Sequence, residues 1–137
     1  MRLVFDTNVL VSALLTPGGT SDRALRAAVA MGATFLYDAR MLAEYRAVLS
    51  RPKFRAAIAP RMIEQLVSGL IASGEKIAAL AADLDVPDPD DAPFLEVALT
   101  GRADALVTGN ARHFQPSHGV IVVSPSRLLK LIGSPRT

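Results

Sequence analysis

The chain has 137 residues, half of them apolar and a fifth charged, which predicts one globular domain over 1–137 burying about two-thirds of its unfolded surface, with an ordered core over about 2–132. The absence of cysteine excludes disulfides, thiolate metal sites and cysteine nucleophiles, and a net charge of +2 selects no partner by itself. No run approaches the roughly 18 apolar residues of a membrane span, and no membrane association is expected.

The chain opens on LVFDTNVLVSALL, residues 3–15. Residues 2–6 read as a short buried strand and 8–15 as a helix. With Asp6 and Asn8 inside the apolar segment and no basic lead beyond Arg2, this is not a signal peptide; a cytoplasmic location is expected. Pro17, Gly18 and Gly19 form a turn. Ser21 then caps a helix that Gly32 ends. Residues 34–37 (TFLY) are β-prone. Asp38 caps a helix to about residue 50, where Pro52 stops it. Pro60 suits the first turn of a helix whose stripe is Met62, Ile63, Leu66, Val67, Leu70 and Ile71. A third strand is expected over 76–80. The acid-rich loop 86–91 caps a helix carrying Phe94, Leu95, Ala98 and Leu99. Residues 105–108 and 120–123 are further strands, and Ser124-Pro125 starts the last helix.

Strands that are apolar throughout, alternating with helices, predict a parallel sheet covered on both faces. Ligands of such sheets bind beyond the carboxyl ends of the strands. Asp6 ends the first strand at that rim. Glu44, between apolar Met41 and Val48 one turn either way, lies at the edge of its helix's buried stripe and leans toward the rim, because helical side chains point N-terminally; an exposed glutamate explains it equally well. Asp88, Asp90 and Asp91 put three acids in four residues. Helix capping explains one or two of them, and crowding all three near Asp6 calls for a cation or a shared proton.

Asp104 begins the fourth strand, whereas Thr108 and Asn110 follow its end. Six residues of extended chain cover about 20 Å, so Asp104 and Asn110 cannot share one ion. The rim rule selects Thr108 and Asn110. Three carboxylates and an amide oxygen make a hard-oxygen centre suited to Mg²⁺ or Mn²⁺. His113 and His118 lack metal-binding spacing and read as loop residues. No glycine-rich nucleotide loop or serine-hydrolase elbow occurs. The bases Arg40, Arg46, Arg51, Lys53, Arg55 and Arg61 face a single acid, Glu44, in their stretch; they suit phosphate contacts or an ordinary solvated surface.

Four strings, FDTNVLVSALL, AEYRAVLSRPKF, DPDDAPFLEVAL and ADALVTGNARHF, occur in that order. Together they resemble the PIN-domain nucleases, especially the VapC-like toxins of bacterial toxin–antitoxin pairs. The resemblance implies a three-layer α/β/α sandwich with a mostly parallel sheet and a Mg²⁺- or Mn²⁺-dependent endoribonuclease acting on RNA. It also implies a small antitoxin partner and often a homodimer. Carried over by position, its catalytic residues are Asp6, Glu44, Asp91 and Asn110, with metal held by Asp6, Glu44 and Asp91. Asn8, Asp88 and Thr108 are supporting residues.

Asn110 departs from the family, which most often has aspartate there. A neutral oxygen weakens the hold on a second ion most, and the alternative is a weak or inactive PIN-like scaffold that binds RNA or protein. A phospho-acceptor role for Asp6 lacks the second acid two residues on, where Asn8 stands.

Overall fold

The computed structural model describes residues 1–80, 84 and 86–133. Asp83 and Asp85 lie outside these residues. In chain order the elements are β1 (Arg2–Phe5), α1 (Thr7–Leu15), α2 (Thr20–Ala30), β2 (Thr34–Tyr37), α3 (Ala39–Leu49), α4 (Pro60–Ala72), β3 (Gly74–Lys76), α5 (Ala92–Thr100), β4 (Ala105–Val107), β5 (Val122–Val123) and α6 (Pro125–Ile132). Short 3₁₀ turns occupy Pro52–Phe54, Pro89–Asp91 and Ala111–Phe114.

The five strands form one sheet in the order β3-β2-β1-β4-β5, every pair parallel. β1 is central, with Leu3 registered against Phe35 on one side and Ala105 on the other. Leu3, Val4 and Phe5 are all buried, so both faces of β1 are covered. The chain steps outward from β1 to β2 to β3, then returns across β1 to β4. Right-handed crossovers therefore put α1 to α4 on one face and α5 on the other, giving three layers. α1 packs on α2 and α3, α3 on α4, and α6 on α2, while α5 packs on β1, β2 and β4. Among the described residues no helix is long and apolar enough to cross a membrane.

Three boundaries differ from expectation by two residues or more. α2 is capped from Gly19, not Ser21. β5 is shortened to Val122–Val123. β3 spans Gly74–Lys76 instead of 76–80, so the strand begins directly after α4. Gly74 explains the last shift. A Cβ there would meet the carbonyl oxygens of Leu70 and Phe35 at 2.4 Å each, so only glycine lets the helix end pass this close to β2.

Asp104 lies at the edge away from the carboxyl ends, as its place before β4 requires. Its Oδ2 accepts the Arg2 backbone N–H at 2.7 Å. The Arg2 guanidinium donates onward to Gly101 O at 2.9 Å and Glu75 Oε1 at 2.8 Å, closing that corner of the sheet. The opposite rim is left to Asp6, Asp38 and Thr108, the residues following β1, β2 and β4.

Candidate active site

Asp6 is the N-cap residue of α1 and only 4% exposed. Its backbone N–H still bonds Val107 O at 2.9 Å, so the carboxyl stands at the last rung of the sheet. The Thr108 hydroxyl, 1% exposed, donates to Asp6 Oδ2 at 2.7 Å. The Asn110 backbone N–H donates to that same hydroxyl at 3.1 Å. Asn110 thus reaches Asp6 through Thr108 and its own backbone, while the residue is exposed at the start of the 3₁₀ turn.

Glu44 sits half-buried in α3 between buried Met41 and Tyr45. Asp91 is the N-cap residue of α5, entered through the turn whose own cap is Asp88. Asp88 Oδ1 accepts the Asp90 N–H at 3.0 Å, which aligns the turn. Asp88 and Asp90 are exposed, as is Asn8 in the first turn of α1.

A row of aromatic rings holds these carboxyls in place. Tyr45, next to Glu44, donates its hydroxyl to the carbonyl of Phe5, next to Asp6. The Tyr45 ring lies 6.2 Å from Phe94, one turn beyond Asp91, and Phe94 lies 6.5 Å from Phe114 in an edge contact. Every residue of this row is fully or almost fully buried. Each acid-bearing segment is therefore anchored in the core within three residues of its carboxyl.

With this geometry in view, comparison with known proteins is informative. The PIN domain family model matches residues 2–112. The chain belongs to the PIN domain family. The crystal structure of VapBC2 from Rickettsia felis, bound to a DNA fragment from their promoter, contains a chain similar in fold. It superposes with a TM-score of 0.62 at 18% identity, over 90% of this chain and 98% of that one. Among curated protein sequences no significant match is found.

The acids of this PIN domain are close enough to feel one another's charge. Burial raises the Asp6 carboxyl above its usual pKa, partly offset by the Thr108 hydroxyl. Burial also raises Glu44, with further rises from Asp90, Asp6 and Asp88 and an opposing pull from Arg51. Asp91 is pushed up to about 6, first by burial and then by Asp6, with Asp88 and Asp90 adding and His113 opposing. Asp91 Oδ2 is buried without a hydrogen-bond partner. His113 Nδ1 approaches it at 3.5 Å, a charge contact too long for a good hydrogen bond.

Among the described residues, no three His, Asp or Glu side chains stand close enough together to hold a metal ion as they are placed. The donor chemistry nevertheless fits a hydrated hard cation. The acceptors are oxygens, one is orphaned, and magnesium keeps several waters while binding through one or two carboxylates. At the PIN rim Glu44 and Asp91 thus each interact by charge with Asp6, Asp88 and Asp90, and the last two, like Asn8 and Asn110, are exposed.

Two neighbours of this centre were not singled out by pattern. His113 reads as a loop residue in sequence, yet the one-turn 3₁₀ helix after Asn110 brings it to Asp91. The basic stretch also divides. Arg40 pairs with Asp38 and Glu96, and Arg46 with Glu64. Among the described residues Arg51, Lys53, Arg55 and Arg61 form no ion pair; Arg51 and Arg55 flank the Pro52–Phe54 turn and Lys53 lies within it.

Proposed function

We propose that this PIN domain is a divalent-metal-dependent endoribonuclease acting as the toxin of a toxin–antitoxin pair in the cytoplasm. The observation that carries the reading is the convergence of Asp6, Glu44 and Asp91 at the carboxyl ends of a parallel sheet, with the Asp91 Oδ2 unpartnered. An RNA phosphodiester is itself an anion, so a bare acid cluster repels it. Mg²⁺ or Mn²⁺, held by Asp6, Glu44 and Asp91 directly or through water, would supply positive charge against the phosphate and lower the pKa of a bound water.

The protein's own part is to hold these oxygens still. Thr108 keeps Asp6 turned by donating its hydroxyl to Oδ2. The Asn110 backbone holds Thr108 in turn. Arg51, Lys53 and Arg55 offer phosphate contacts on the side of the centre nearest Glu44, which Arg51 reaches electrostatically. The toxin assignment draws on the four ordered strings shared with VapC-like proteins and on a fold neighbour described as VapBC2. A small antitoxin and a second copy of the chain are the partners this implies.

Purified protein incubated with structured RNA and Mn²⁺, beside Asp6→Asn, tests the reading. Cleavage should fall by more than the about 10–100-fold that loss of a supporting residue costs. Equal cleavage by both proteins refutes it. A second reading, a non-cutting scaffold, is favoured by the exposed neutral Asn110. Metal-dependent cleavage that appears only in Asn110→Asp would select the scaffold.

A further inference from the structure

Beside the acid centre lies a second set of charges that the proposed chemistry does not use. Asp38 follows β2 as Asp6 follows β1, and the Leu3–Phe35 register carries these two residues to the same level of the rim. Asp38 is 7% exposed and Glu96, on α5, is 5% exposed. Asp38 Oδ1 caps α3 by accepting the Met41 N–H at 2.9 Å. Asp38 Oδ2 accepts from Arg40 Nε at 2.8 Å, with Nη2 also at 2.8 Å. Arg40 Nη1 donates to Glu96 Oε1 at 2.6 Å.

We propose that Arg40 is a positioning residue for the acid centre, its guanidinium locking α5 to the start of α3 and thereby setting where Asp91 stands relative to Glu44. This rests on the reading of the centre given above. Glu44 lies six residues beyond Asp38 on α3, and Asp91 five residues before Glu96, so each is about 8–9 Å of helix from the clamp. A rigid helix carries a shift at the clamp directly to the carboxyl. The planar fork engages both carboxylates at once, which a single ammonium cannot reproduce. The guanidinium supplies a countercharge to both buried carboxylates. The same contact occupies Asp38 Oδ2, keeping that oxygen at the adjacent strand end from drawing the cation away from Asp6.

Three full-length proteins test the clamp: Arg40→Lys, Arg40→Met, and the neutral triple Arg40→Met/Asp38→Asn/Glu96→Gln. The triple keeps an N-cap residue and leaves none of the clamp's charges, so its melting temperature should return close to wild type. Amide hydrogen exchange over residues 88–95 of the metal-free protein should nevertheless quicken about tenfold in both Met variants, and Mn²⁺ binding by calorimetry should weaken about 10–100-fold. Arg40→Lys should fall between. Wild-type exchange and Mn²⁺ affinity in a triple variant of restored melting temperature would overturn the clamp. If the wild type binds no Mn²⁺, the metal reading fails alone, because exchange in the metal-free proteins still decides the role of Arg40.

Discussion

Thr108 bears on Asp6 through one hydroxyl proton, and that proton is the most direct handle on the centre. Thr108→Val keeps the shape but leaves Asp6 Oδ2 and the Asn110 N–H without their partner. Stability should fall by ~1–2 kcal/mol in thermal melts, and Mn²⁺ affinity by about tenfold. Asp91 supplies the pH dependence. Its folded pKa, raised to about 6, exceeds the ordinary aspartate value of about 3.9. The folded protein therefore keeps this proton at pH values where the unfolded chain has lost it. Metal-free protein should lose stability from this group as pH climbs from about 4 through about 6, after which the loss levels off. Asp91→Asn abolishes that loss, so in EDTA its melting temperature should gain on wild type across the interval. With saturating Mn²⁺ the order should reverse above about pH 6, where the metal no longer competes with the proton. A gap between the two proteins that does not change with pH would contradict this account.

At the scale of elements, the ring row of Tyr45, Phe94 and Phe114 ties α3, α5 and the last 3₁₀ turn to β1. Tyr45→Phe removes the buried hydroxyl that Phe5 O accepts and should cost ~1–2 kcal/mol. Phe94→Ala opens the middle of the row and should cost ~3–5 kcal/mol in denaturant unfolding. Most elements were legible in the sequence, since Asp38, Pro60 and Ser124-Pro125 mark helix starts by their own chemistry. Ser124 does accept the Arg127 N–H at 3.0 Å, as a cap should. β3 was misplaced because its determinant is not a pattern. Gly74 matters through two carbonyls brought near by the fold, one from α4 and one from β2, and no local window contains both. Gly74→Ala should therefore destabilise the protein far more than an alanine at exposed Gly69, where nothing lies within reach of a Cβ.

For the whole molecule, the sheet order brings to one rim residues as distant as Asp6 and Thr108. The carboxyl-end rule made Asp6, Thr108 and Asn110 readable as neighbours, and Asp104 as an outsider. It gave no warning of His113, whose approach to Asp91 depends on the turn of the chain after β4. Nor did it separate Arg40 from the other bases, because pairing with Glu96 spans the gap between two elements. Charge at this scale also predicts salt dependence. Replacing Arg51, Lys53 and Arg55 together by alanine should weaken RNA binding alike for all sequences and flatten the dependence of affinity on salt. Electrophoretic shifts at two ionic strengths would measure it, and an unchanged slope would remove that turn from the contact surface.

The ring row has a consequence for anyone disabling this protein. The groups that would perform chemistry are tips, while the packed rings beneath them are the frame, and the two are supplied by the same short segments without being the same atoms. Blunting a tip leaves the outline of the molecule intact, so a silent copy made by changing Asp6 alone should compete as a decoy wherever the active copy docks.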